Sequence, residues 1–377
     1  MSSDGSGTGV RGGLALRIGS IPVLMPWSGV LGVLLIAYLW APSFELADSG
    51  GSRQVITSLV FALLFYASIL LHELGHAALA KVCGYPVHQI VLWVLGGFTS
   101  YERRDDSSWR EGAIAAAGPA TSLLLGGACA VAASSGVLGT DDAVLAVAAA
   151  LAWSNTFLGV YNALPGLPLD GGAVLKAIVW ALTRSERRGT LVAGWAGRVV
   201  AVLVFVGPLL PDLLAGRQPS LTLVVFGAMI GAYLFAGATA ALRSSAITAR
   251  VPMLSVAQLA RRAVPVVKDL PLAEALRQVA AASAGAFVVV GPDGGAVAVG
   301  HEEAVRAVPE QRRPWVPASS VAKALDPAAV LSSSLSGEPL LTAMRAHPAT
   351  EYLVVDDQQR IFGVLSTADV EAALIRA

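Results

Sequence analysis

The chain has 377 residues, 55% of them hydrophobic and 14% charged, with a mean hydropathy of +0.66. A soluble domain carries about 45–50% apolar and about 25% charged residues, so a single soluble domain is excluded; the apolar excess, gathered in blocks before residue 243, points to several membrane spans followed by a soluble part. The formal net charge is zero, no basic stretch argues for nucleic acid, and Cys83 and Cys129 form no CxxC pair, which leaves neither a disulfide framework nor a thiolate metal site.

The Gly/Ser-rich start, residues 1–13, is expected to be a disordered tail without the layout of a cleaved signal peptide. Six apolar segments follow, roughly over 27–44, 55–80, 112–135, 143–163, 190–211 and 220–242, against the about 20 residues that a helical span needs. Basic residues orient them. Arg11 and Arg17 precede the first segment, Lys81, Arg103, Arg104 and Arg110 follow the second, Arg184, Arg187 and Arg188 follow the fourth, and Arg243 and Arg250 follow the sixth. The opposite loops carry Glu45, Asp48, Asp141, Asp142 and Asp212. Both termini are therefore expected in the cytoplasm. Arg198, inside the fifth segment, is expected to snorkel to the interface.

Between the second and third segments, residues 85–101 are β-branched and aromatic with a Gly-Gly break, a pattern of short strands. Strand backbone at membrane depth is tolerated only where protein or a water cavity covers it, and its edge offers a place to pair with an unwound substrate segment. After Pro252 a repeat emerges. Helix 272–283, strand 286–290, turn 291–295, strand 296–299 and helix 301–308 recur as helix 338–347, strand 351–355, turn 356–360, strand 361–365 and helix 367–376. Pro271-Leu272 matches Pro339-Leu340, and residues 309–337 join the copies and supply the first strand of the second. The domain layout is thus 14–245 for the spans, 250–308 for the first unit and 309–377 for the second.

The chemistry is carried by the second segment. His72, Glu73 and His76 form a His-Glu-x-x-His spacing that sets both imidazoles on one helical face, with a carboxylate beside them as general base for hydrolysis. Such groups cost about 2.5–3.5 kcal/mol each in a span, which marks them as functional. His72 lies nine residues before Lys81, roughly 13 Å inside the cytoplasmic boundary. Catalytic zinc takes three protein ligands and keeps one position open. Residues 162–172, Asn-Ala-Leu-Pro-Gly-Leu-Pro-Leu-Asp-Gly-Gly, supply the third in Asp170, turned back by a Pro- and Gly-broken loop. The plainer reading makes Asp170 the N-cap of a helix over 172–182. His88 reads as structural, and His301 and His347 as surface groups of the repeat.

His72-Glu-Leu-Gly-His76, together with Asn162-x-x-Pro-x-x-Pro-Leu-Asp-Gly-Gly172, resembles the site-2 proteases, the intramembrane zinc metalloproteases of peptidase family M50. Gly96-Gly97 and Ala117-Gly118-Pro119 fit the same pattern, and Ile21-Pro22-Val23 with the C-terminal repeat resembles the subgroup that carries a pair of CBS domains. The resemblance implies a polytopic α-helical membrane protein of about six transmembrane helices with a cytoplasmic α/β CBS-pair module, placed in the bacterial plasma membrane. It implies His72, His76 and Asp170 as ligands of one zinc ion, Glu73 as the base, and Asn162 as the group that holds the substrate carbonyl or its oxyanion, with Asn155 ranked second. The implied substrate is a single-span membrane protein, by analogy an anti-sigma factor, cut in regulated intramembrane proteolysis.

For the CBS pair the resemblance implies ATP or AMP bound through Ser366, Thr367 and Asp369 at the head of the last helix. The first unit departs from the pattern, with Glu302 opposite Thr367 and Ala304 opposite Asp369. The module is also expected to pair as a homodimer. A rival reading makes the chain a CBS-gated transporter or channel that uses the His72, His76 and Asp170 cluster as a transport site.

Overall fold

The computed structural model describes residues 12–44, 51–94, 96–104, 107–292 and 294–375. Of the expected tail, residues 1–11 lie outside the described residues, as do the loop carboxylates Glu45 and Asp48. Gly13, the last residue of that expected tail, opens a strand. The chain divides into two compact units, Met1–Ser245 and Ala246–Ala377.

The first unit opens with an antiparallel hairpin of β1 (Gly13–Ile18) and β2 (Ile21–Pro26), with Ile18 opposite Ile21 across the turn. β2 pairs in parallel with β3 (Val87–Trp93), which pairs antiparallel with β4 (Gly96–Tyr101), giving the order β1-β2-β3-β4. The strands expected over 85–101 are therefore present, and β4 is a sheet edge among the described residues. Ile21, Val23, Ile90 and Leu92 of this sheet share a buried cluster with Tyr66 and Ile69 of the second span.

The helices are α1 (Trp27–Trp40), α2 (Gly51–Val82), α3 (Ser108–Ser134), α4 (Asp142–Asn162), the shorter α5 (Asp170–Thr183), α6 (Glu186–Val206), α7 (Leu210–Leu214) and α8 (Leu221–Thr248). Six stretches, 27–44, 51–82, 108–134, 142–162, 186–214 and 221–253, are long and apolar enough to cross a membrane. α2 is the most enclosed of them and packs on α1, α3 and α4. Outer faces keep Leu31, Leu63, Leu124, Phe157 and Leu203 exposed, a surface suited to lipid because helices satisfy their own backbone. Asp141 caps α4 by accepting from the backbone of Ala143 and Val144, and these N–H groups hold its carboxyl below the usual range. Arg198 lies against the rings of Trp195 and Phe235, 4.5 and 5.2 Å from their centroids, and donates to Thr239. A guanidinium against aromatic faces is held by cation–π attraction.

The second unit carries α9 (Val256–Leu259), β5 (Arg261–Val267), α10 (Leu272–Ala281), β6 (Ala286–Val290), β7 (Ala296–Gly300) and α11 (Glu302–Ala307), followed by β8 (Ala322–Ala324), β9 (Val330–Ser332), α12 (Gly337–Ala346), β10 (Glu351–Val355), β11 (Ile361–Ser366) and α13 (Thr367–Ile375). β5 runs parallel to β6, as β9 does to β10, so each copy is a strand, helix, hairpin and helix. The two copies join into one seven-stranded sheet, β8-β7-β6-β5-β11-β10-β9, through an antiparallel β5–β11 pair. Val288 and Val299 of the first copy are buried with Leu353, Val355 and Val364 of the second.

Candidate metal centre

α2 presents His72 and His76 one turn apart, both buried. His72 Nδ1 lies 2.9 Å from Ser122 Oγ, and His76 Nδ1 donates to Ile114 O at 2.7 Å. Both partners belong to α3. With Nδ1 engaged, each ring turns Nε2 toward a shared point, the arrangement in which a second interaction fixes the tautomer of a metal-binding imidazole.

Asp170 is the first residue of α5, whose N-cap is Leu169, so it does not serve as the cap that the plainer reading gave it. The preceding loop is anchored by Leu167, whose backbone N donates to Ala193 O on α6, and by Leu169, buried with Val200, Ala201 and Leu234. That anchoring turns the carboxylate back toward α2. Asp170 Oδ2 lies 3.1 Å from His72 Nε2 and 3.4 Å from His76 Nε2, and the two Nε2 atoms are 3.3 Å apart. These three residues form a group able to hold a metal ion. Ligand bonds of about 2.0–2.2 Å in a tetrahedron put donors about 3.3–3.6 Å apart. Two imidazoles and one carboxylate at this spacing fit zinc in both chemistry and size.

Glu73, also buried, accepts from Thr99 Oγ1 of β4 at 2.7 Å on Oε2. Backbone of β4 can come this close because position 97 is glycine: a Cβ there would sit 2.7 Å from Glu73 Cγ. Gly118 does the same for α3, where a Cβ would sit 2.2 Å from His76 Nε2 and 2.6 Å from His72 Nε2. Asn162, at the C-terminal end of α4, lines a cavity of about 670 Å³ with His72, Glu73, His76, Thr99 and Asp170. Its side chain makes no hydrogen bond among the described residues. Asn155 does not reach this cavity; its amide donates to Ser68 Oγ and Leu151 O between α2 and α4. His88 stands apart on β3, exposed and 3.8 Å from Glu102.

The sequence reading missed an ionic clasp around α5. Arg103, just past β4, donates to Glu111 of α3 and to both carboxylate oxygens of Glu186 at the head of α6. Lys176 of α5 donates to the same two acids at 2.7 and 2.9 Å. The carboxylates around Arg103 raise its pKa further above the ordinary arginine range. Only acids and bases spaced far apart in the sequence compose the clasp, so no motif signals it.

The residues expected to take a nucleotide are dispersed in role. Ser366 lines a cleft of about 100 Å³, with its hydroxyl accepting from Ala368 N. The Thr367 hydroxyl donates to Ala349 O, and Asp369 Oδ1 accepts from Arg261 Nη2 at 2.8 Å. His301 is also engaged, with Nδ1 3.1 Å from Glu351 Oε1.

Residues 60–141 and 139–206 match the model of Peptidase family M50. A Synechocystis protein, sll0528, named as a zinc metalloprotease, is 36% identical over 188 residues, 48% of this chain and 49% of that one. Rip3 of Mycobacterium tuberculosis, likewise named, is 37% identical over 230 residues, 59% of this chain and 56% of that one. The chain spans about half the length of the curated relatives it matches. Among solved structures, the site-2 protease from Methanocaldococcus jannaschii matches with 24% identity and a TM-score of 0.43, over 61% of this chain and 95% of that one. The CBS domain of a bacterial CNNM/CorC family Mg2+ transporter matches with 12% identity and a TM-score of 0.28, over 36% and 85% of the two chains.

Proposed function

We propose that this chain, which belongs to peptidase family M50 through residues 60–206, is an intramembrane zinc endopeptidase that cuts the membrane-spanning segment of a single-span protein. The observation that carries this reading is the convergence of three ligand atoms 3.1–3.4 Å apart beside a positioned carboxylate, inside a cavity walled by apolar helices. His72, His76 and Asp170 would hold the zinc. When bound, zinc polarises a carbonyl and acidifies water toward a pKa of about 7.

The chain's own groups do the rest. Glu73 takes the proton of the attacking water and returns it to the leaving amine, while the Thr99 hydroxyl fixes its other oxygen. Asn162 donates its amide N–H to the carbonyl oxygen as charge develops there. The edge of β4, whose residues line the same cavity, offers backbone donors and acceptors to an extended substrate. A helix hides its scissile carbonyls, so the substrate unwinds to pair there. The basic residues that follow the second, fourth and sixth spans argue for a cytoplasm-facing site in a bacterial plasma membrane, and a membrane-anchored regulator of transcription suits such a cut.

The test is metal content and cleavage together. Detergent-purified protein should hold one zinc per chain, lost in His72→Ala and Asp170→Ala. Glu73→Gln should keep the zinc and lose cleavage of a co-expressed single-span substrate by about 10²–10⁴-fold. Well-folded protein without zinc would sink the reading. A Glu73→Gln protein that still cleaves would remove Glu73 from its role.

A further inference from the structure

In the α/β unit one arginine bridges the two copies. Arg261, the first residue of β5, lies opposite Val364 of β11, which brings it to the seam of the shared sheet. From there Nη1 donates to Glu302 at the head of α11 and Nη2 to Asp369 in the first turn of α13. Glu302 belongs to the first copy and Asp369 to the second. Arg306 adds a second donor to Glu302. The guanidinium holds the Glu302 carboxyl below its ordinary range, and the two acids raise the pKa of Arg261.

An adenine nucleotide does not fit what remains. The cleft beside Arg261 holds about 100 Å³, against about 300–1,000 Å³ for ordinary small-molecule sites. Ribose hydroxyls need a carboxylate that faces the cleft, and Asp369 is not among its lining residues: it commits Oδ1 to Arg261 and keeps Oδ2 buried, without a hydrogen bond among the described residues. Phosphates need donors and positive charge. The cleft's cation, Arg261, is committed to Glu302 and Asp369, and beside it stand the carboxylates of Glu302 and Glu351, the latter with Oε2 buried and without a hydrogen bond among the described residues. Thr367, the expected phosphate contact, has its hydroxyl committed to Ala349 O.

We propose that Arg261 closes the nucleotide cleft of this module from within: bridging Glu302 and Asp369, it ties the two copies together at the place where a nucleotide would otherwise do so. The module is then a permanently latched scaffold rather than a sensor of adenylate charge. This holds whether or not the membrane unit is a protease.

The experiment is a calorimetric titration of the full-length protein in detergent with AMP, ADP and ATP, each into the millimolar range. Wild type should give no saturable heat. Arg261→Ala combined with Glu302→Gln, which removes the latch together with the acid it would otherwise strand beside the phosphates, should gain about 10–100-fold in affinity for at least one of the three, the worth of one freed hydrogen bond to a charged group. Adding Asp369→Ala to that variant should cancel the gain. Should Arg261→Ala fail to fold, Arg261→Gln replaces it. Saturable binding to wild type overturns the proposal, as does a folded double variant that binds none of the three.

Discussion

Gly118 shows how little room the candidate metal centre leaves. Alanine is the better helix former by about 1 kcal/mol, so Gly118→Ala should not weaken α3 as a helix. Its Cβ, however, would fall 2.2 Å from Nε2 of His76, so the imidazole that Ile114 O holds through Nδ1 would have to swing out of place. The expected outcome is protein that stays folded and membrane-inserted but loses zinc, checked by metal analysis beside a thermal melt; full zinc retention would contradict the geometry. The same residue marks what sequence could and could not supply. The spacing of His72, Glu73 and His76 is a local property of one helix, and Asp170 stands out as an acid in an apolar neighbourhood, so both were legible. Ser122 and Ile114, which aim the two imidazoles, were not, because they act through the crossing of α3 over α2. Ser122 is an ordinary serine in an Ala/Leu helix, and Ile114 contributes only its carbonyl. Asn155 was a fair rival to Asn162 by composition, and only the structure puts one against Ser68 and the other in the cavity.

At the scale of elements, α5 depends on its clasp. Asp170 opens this helix, and Lys176, less than two turns later, is shared between Glu111 and Glu186 with only 15% of its side chain exposed. Removing Lys176 leaves the two acids to share Arg103, one cation in place of two, at the junction of α3, α5 and α6. Lys176→Met should therefore cost about 1–3 kcal/mol, the usual penalty for stranding a largely buried polar partner. Zinc should bind more weakly as α5 loosens, and Lys176→Arg should restore much of both. A chemical-denaturation midpoint and a zinc-competition assay read the two effects; a Met variant with neither loss would show the clasp to be dispensable. Long apolar helices were legible from length alone, and β3 and β4 from their β-branched residues around Gly96-Gly97. The β1–β2 hairpin was not, since β1 is exposed along its whole length and shows no alternation. β5 was hidden by Pro265, which usually demotes a strand; here it lies past the two residues that pair with β11.

For the whole molecule, the two copies in the α/β unit share one sheet and one buried cluster, so the boundary near 308–309 divides a sequence repeat rather than two independent folds. Their latch is electrostatic and therefore sensitive to acid. Glu302 has its carboxyl depressed by Arg261, from an ordinary value of 4.5. A depressed carboxylate lends stability that is fully present above its unfolded value and fades as pH falls through the folded one. Melting of the α/β unit should thus be level near neutrality and decline below about pH 4.5. Glu302→Gln should flatten that part of the acid limb, while adding salt lowers the wild-type plateau only slightly because both groups are partly exposed. A wild-type acid limb identical to that of Glu302→Gln would remove this pair from the ledger of acid stability.

The pairing of β5 with β11 also sets an order of events during synthesis. His72, His76 and Asp170 are all made by residue 170, whereas the strand that β5 needs as its neighbour ends at Ser366. Ribosomes add about 5–20 residues per second, so the two moments are separated by tens of seconds at the slow end of that range. β5, made by residue 267, waits with one side bare through the later part of this interval, and the unit that carries the three candidate ligands is fully made, through residue 245, before the sheet can close. Whatever restraint or assistance the α/β unit provides is absent from the youngest copies in the membrane.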